Sequence, residues 1–147
     1  MKKMNLLIAA LTFSLGSCAQ NIAPGNVPAV VVNTFQQQFP KATDVEWEKK
    51  SNLYEVEFET GLSGRDNKML IDSLGQVTYH EFEISDAELP DAVKKTITEQ
   101  FAGYKIDDTK KIKSGGLVTY QAELKKKPEE WEVTFSFDGK VLGKISE

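Results

Sequence analysis

Side chains able to make or break covalent bonds are scarce in this chain: Cys18 is the only thiol and His80 the only imidazole among 147 residues. His80 lies in Val77-Thr-Tyr-His-Glu-Phe-Glu83, a strand-like stretch. Histidine titrates near neutrality and can serve as a general base. A nucleophile would have to stand within hydrogen-bond reach of it, and neither a GxSxG turn nor a Cys-His arrangement is present. Plain packing in a sheet is the expectation. The glycine stretches Gly61-Leu-Ser-Gly64 and Ser114-Gly-Gly116 lack the GxxxxGK[ST] pattern that wraps a phosphate, and read as turns. One cysteine excludes an internal disulfide, a CxxC redox pair and a multi-cysteine zinc centre. The expectation is a non-enzyme, with no catalytic residue, no cofactor and no metal ligand set.

Carboxylates are the more abundant chemistry. Period-two spacing puts Asp44, Glu46 and Glu48 on one face of a strand and Glu55, Glu57 and Glu59 on one face of the next. Residues 27 to 88 hold 5 basic and 12 acidic side chains, whereas 89 to 147 hold 11 and 10. Three readings of this patch are open. It is a solvated outer face, as outward strand positions commonly are. It is a docking surface for a basic protein steered by the field of the carboxylates, with Glu46, Glu48, Glu55, Glu57 and Glu59 as candidate contacts. Or it is a divalent-cation site, for which no DxDxDG loop speaks. The first two are favoured over the third. Lys125-Lys126-Lys127 reads as a solvated hairpin loop, with contact to anionic lipid as its alternative.

The elements that must position these side chains repeat. Residues 27 to 39 (VPAVVVNTFQQQF) align with 89 to 101 (LPDAVKKTITEQF) at an offset of 62, with five identities in thirteen. Val27, Val31, Phe35 and Phe39 fall at i, i+4, i+8 and i+12, as do Leu89, Val93, Ile97 and Phe101, so each segment lays one apolar stripe on a core as a helix. Pro28 and Pro90 suit a helix start, and the second helix is expected to begin near Pro90 rather than at the capping-box pattern Ser85-Asp-Ala-Glu88. After each helix the period changes to two. Val45 and Trp47, then Tyr54, Val56 and Phe58, alternate with acids; Val118, Tyr120, Ala122 and Leu124, then Trp131, Val133, Phe135 and Phe137, form inward rows in the second copy. Turns are expected at 61 to 67, 73 to 75, 114 to 116, 127 to 129 and 138 to 139. Each copy is one helix followed by about four antiparallel strands. The fold class is α+β, a tandem repeat with the helices packed on one side of the sheet, in which 27 to 88 and 89 to 147 form one compact unit.

The composition, 40% hydrophobic and 27% charged, is that of an ordinary soluble domain. A net charge of -4 argues against nucleic acid as a partner. At the front, Lys2 and Lys3 precede an apolar run from Leu6 to Phe13 that is too short to span a bilayer and reads as a secretory signal. The following Leu15-Gly16-Ser17-Cys18 resembles the lipobox of bacterial lipoproteins, in which the signal is cut before the cysteine and lipid is attached to its thiol. On that likeness, residues 1 to 17 are a signal peptide, Cys18 is the lipid attachment site and 18 to 26 are a tether. The location is the bacterial cell envelope, anchored to the membrane through the lipid on Cys18. The absence of an acidic export run in 19 to 26 favours the periplasmic side.

The helix start with its LP-x-x-V…F pattern, together with the strand Tyr54-Glu-Val-Glu-Phe58 and its counterpart Tyr120-Gln-Ala-Glu-Leu124, resembles the PepSY-like family of envelope proteins, also described as similar to β-lactamase-inhibitor protein. The resemblance covers residues 27 to 147. It implies a tandem α+β fold whose helices cover one side of an antiparallel sheet and whose other side is free to bind a protein, such as a hydrolase to be restrained. No catalytic residue belongs to that family picture. The functional expectation is a non-enzymatic, lipid-anchored protein-binding module, with a small-molecule or divalent-cation binding module as the alternative.

Overall fold

Two prolines set where the helices begin. Pro28 and Pro90 stand in extended backbone (φ -55°, ψ 138° and φ -55°, ψ 143°), and the residues after them open α1 (Ala29–Gln38) and α2 (Asp91–Gln100). A computed structural model describes residues 20–146; the signal segment and Cys18 lie outside them. The β-branched run Val30-Val31-Val32 disfavours a helix by no more than about 0.7 kcal/mol per residue. Burial of Val27, Val31 and Phe35 against the sheet, worth about 1.5–3 kcal/mol each, outweighs it. The Ser85–Glu88 pattern makes a 3-10 turn ahead of α2 instead of starting it: the Glu88 carboxylate accepts the Ser85 amide at 2.9 Å and its hydroxyl at 2.8 Å.

The strands are β1 (Gln20–Asn21), β2 (Thr43–Lys50), β3 (Leu53–Thr60), β4 (Arg65–Asp72), β5 (Val77–Glu83), β6 (Lys105–Ser114), β7 (Leu117–Lys126), β8 (Glu129–Ser136) and β9 (Val141–Ser146). They form one antiparallel sheet in sequential order, so the class is α+β. Four strands follow α1 and four follow α2. Directly paired residues share a face, and the register runs Trp47, Val56, Met69, His80, Lys113, Val118 across one side. The next row on that side is Phe58, Asn67, Phe82, Lys111, Tyr120, Phe135. Both helices lie there. Val31 and Phe35 of α1 pack on Trp47, Val56, Phe58, Met69 and Ile71, and Val93 and Ile97 of α2 on Tyr120, Ala122, Leu124, Val133 and Phe135.

Each helix is tied to the last hairpin of its own half in the same way. The Thr34 hydroxyl donates to the Gly75 carbonyl at 3.1 Å, and the Thr96 hydroxyl to the Gly139 carbonyl at 2.8 Å. Both glycines have φ +84°, and there is no room for a Cβ between turn and helix. Thr34 and Thr96 are equivalent in the repeat, which gives their identity a packing reason.

Four expectations need correction. Val45 is 36% exposed because a bulge between Thr43 and Glu46 inserts a residue, with Asp44 at φ +47°, and ends the alternation that placed Asp44 with Glu46 and Glu48. Val118 and Phe137, expected in the inward rows, are 38% and 68% exposed. Val118 lies at the hairpin end of β7 and Phe137 follows the last residue of β8, beyond the cover of α2. Asn67, expected in a turn, is a buried strand residue whose amide donates to the Thr60 hydroxyl and the Arg65 carbonyl, both at 2.9 Å.

Candidate functional site

With the helices on one face, the other face of the sheet is left open, and the acidic residues alternate onto it. Glu46 pairs with Glu57, Glu57 with Lys68 and Lys68 with Glu81. Like charges on neighbouring strands repel, and lysines placed among them reduce that cost. Lys68 reaches Glu57 at 2.8 Å, and this hydrogen bond, against the opposing effect of burial, raises the lysine's pKa. Burial alone would lower the pKa of Lys110, but Glu81 at 3.4 Å and Asp108 at 3.6 Å outweigh it and the net shift is upward. Burial, then a hydrogen bond to Glu81, raises the Tyr79 phenol.

Where β2 to β6 meet at one end of the sheet, this face sinks into an open depression of about 460 Å³. Asp44, Glu46, Glu57, Glu59, Asp66, Glu81, Glu83 and Asp108 line it, with Lys68 and Lys110 the only cations. Eight carboxylates against two ammonium groups leave a net charge of -6, in a concave setting that concentrates the field. A smaller hollow next to it is lined by Asp108, Lys110, Gln121, Glu123 and Glu132.

The structure brings three of the five candidate contacts, Glu46, Glu57 and Glu59, into the depression. Glu55 is 5% exposed and paired with Lys50 at 2.5 Å, and Glu48 shares that lysine at 3.4 Å; neither lines it. Asp66, Glu81, Glu83 and Asp108 went unsingled in the sequence. The period-two alternation of Tyr79-His-Glu-Phe-Glu83, continued in Arg65-Asp-Asn-Lys68, carried the signal for the first three. Among the described residues no group of three or more His, Cys, Asp or Glu side chains is disposed to hold a metal ion.

His80 lies on the helix-covered face between the two cores. Its ring is 5.4 Å from Phe39 and 4.8 Å from Phe82, and Nε2 is 3.2 Å from Asn67 Oδ1. Burial, then the charge of Lys113, pushes its pKa down to about 4. These neighbours are rings, an amide and Lys113, and none is a hydroxyl or thiol that the imidazole could activate. In the lysine run, Lys125 pairs with Asp107 and Glu123, each at 2.7 Å, and Lys126 lies 5.4 Å from the Tyr104 ring. Among the described residues no helix is long and apolar enough to cross a membrane.

Both halves of the chain, residues 17–78 and 75–143, match the model of a family described as "Putative beta-lactamase-inhibitor-like, PepSY-like". The chain belongs to this PepSY-like family. Solved structures of similar fold include a "putative periplasmic" protein from Bacteroides eggerthii (TM-score 0.71, 15% identity, 82% of this chain and 88% of that one). A BLIP-like protein from Bacteroides fragilis is also similar (TM-score 0.66, 19% identity, 81% and 86%). So is a DUF2874 family protein from Bacteroides ovatus (TM-score 0.68, 17% identity, 81% and 86%). At such identities the likeness is one of fold. A comparison with curated protein sequences gives no match.

Proposed function

We propose that this PepSY-like chain is a non-enzymatic, lipid-anchored envelope protein, built as a tandem of two helix-plus-four-strand units. It binds a protein with a basic surface on its open sheet face. The observation that carries this is the acid-lined depression of about 460 Å³ on the face left uncovered by both helices. Its charge complements a basic partner and speeds encounter. The fold likeness to a BLIP-like protein and the PepSY-like description support a binding role. The lipobox-like Leu15-Gly-Ser-Cys18 and the description of the Bacteroides eggerthii neighbour support an envelope location on the periplasmic side.

Capture from envelope extract at micromolar concentration, compared with the Asp66→Lys/Glu83→Lys/Asp108→Lys protein, tests the reading. The parent should retain a basic protein, less so as salt rises, and the triple variant should lose it. Recovery of no partner, or equal recovery by the variant, would sink it. Anchoring has a separate check: Cys18→Ala should move the protein from the membrane to the soluble fraction.

A further inference from the structure

Hairpins alternate between the two ends of an antiparallel sheet, so each end collects its own set. One end carries the β2–β3, β4–β5, β6–β7 and β8–β9 turns. At that end five of the exposed large apolar residues stand together. Leu74, Leu117 and Phe137, at the tips of three successive hairpins, are 73%, 72% and 68% exposed, and Val77 and Val118 stand beside them at 38% each. The opposite end carries Leu62 in the β3–β4 turn and Ile145 near the end of β9, 111% and 63% exposed, and holds Glu59, Asp66, Glu83, Asp108 and the rest of the acidic depression.

The chain reaches the sheet from the apolar end. β1 pairs Gln20 with Lys49 and Asn21 with Glu48, antiparallel to β2, so it runs away from the β2–β3 turn. Cys18 precedes β1 by two residues. A residue contributes at most about 3.6 Å of reach, so a lipid on that cysteine would hold this end of the sheet within a few residues of the bilayer. Lys140, exposed in the β8–β9 turn beside Phe137, can reach the headgroups.

We infer that the apolar hairpin rim formed by Leu74, Leu117 and Phe137 seats in the interfacial layer of the bilayer to which Cys18 is anchored, and fixes the domain upright with the acidic depression facing away. The inference rests on the lipid anchoring proposed above. Apolar groups at this depth enter about 5–10 Å into the headgroup and acyl boundary. They add contact to that made by the lipid without spanning the membrane.

The test uses the full lipidated protein in phosphatidylcholine–phosphatidylethanolamine vesicles, with Phe137→Trp at the rim and Leu62→Trp at the far end. Both sites are exposed, so neither substitution disturbs a core. After subtraction of the parent signal from Trp47 and Trp131, the probe at position 137 should shift to the blue on vesicle binding and be quenched by lipid brominated near the headgroup. The probe at position 62 should do neither. If the protein floats with the vesicles but the probe at 137 is unquenched, or the two are quenched equally, the rim seating is overturned and anchoring stands. If it does not float, anchoring fails and the rim inference, which needs the lipid on Cys18, fails with it.

Discussion

Replacing Gly139 by alanine tests how a helix is fixed to its hairpin. At φ +84° an L residue is strained by about 1–2 kcal/mol. A Cβ there would lie 2.5 Å from the Ala92 carbonyl oxygen and 2.9 Å from Thr96 Oγ1. The obstacle is helix backbone, so relief requires α2 to lift from the β8–β9 turn. That movement weakens the Thr96–Gly139 hydrogen bond, worth about 0.5–1.5 kcal/mol net. It also loosens Val93 and Ile97, and overpacking of this kind costs about 1–3 kcal/mol. Together the loss is about 3–6 kcal/mol, a large share of the stability of an ordinary domain. Gly75 has the same φ, but its Cβ would first meet Val30 Cγ2 at 2.9 Å and Thr34 Oγ1 at 3.0 Å. Those are side-chain atoms that can turn aside, so Gly75→Ala should cost less, about 2–4 kcal/mol. Gly115, at φ +55° with nothing within 4 Å, should lose only about 1 kcal/mol. Equilibrium urea unfolding at neutral pH, followed by far-ultraviolet circular dichroism, measures all three. A Gly139→Ala protein within about 1 kcal/mol of Gly115→Ala would refute the account of the helix–hairpin contact.

Further outcomes follow from the same contacts. Thr34→Val and Thr96→Val should each cost about 1 kcal/mol, and because α1 and α2 pack on separate cores the double variant should equal the sum within about 0.5 kcal/mol in urea titrations. The folded chain holds His80 neutral down to about pH 4, whereas the unfolded chain takes up that proton near 6.5. Stability present above pH 6.5 is therefore lost as pH falls toward 4, and His80→Gln should flatten the slope of melting temperature against pH over that window. An unchanged slope would exclude His80 as its source. Arg65→Ala breaks an exposed pair with Glu88 at 3.1 Å and should change the melting temperature little, since such surface pairs contribute less than about 1 kcal/mol.

How much could be read beforehand differed by scale. Positions with one dominant demand were legible: Val27, Val31 and Phe35, with Leu89, Val93 and Ile97, spell a helical stripe, and all six are buried. The even alternation of Tyr54, Val56 and Phe58 likewise fixed which side chains of β3 turn inward. What failed depended on a local break of period or on distance from a helix. The bulge at Asp44 shifts Val45 outward, and nothing in its neighbours announces an inserted residue. Phe137 continues the row of Val133 and Phe135 in spacing, yet stands past the strand end where no helix covers it. The acidic depression was half legible. Glu46, Glu57 and Glu59 stood out in their own strands, but their juxtaposition with Glu83 depends on the β4–β5 register, and that with Asp108 on the β5–β6 pairing, which joins the two halves across the whole of α2.

That pairing has a consequence for how such a molecule can grow. The first strand of the second half is covered by the last strand of the first, and at the start of the sheet the two-residue β1 occupies the equivalent place on β2. Among the described strands β1 and β9 each have a neighbour on one side only, and β1 offers just two residues to pair with. A third unit fused behind Ser146 would find its seam already cut, while one fused ahead of Thr43 would first have to displace β1. Lengthening by duplication is therefore directional, and the short opening strand works as a stop.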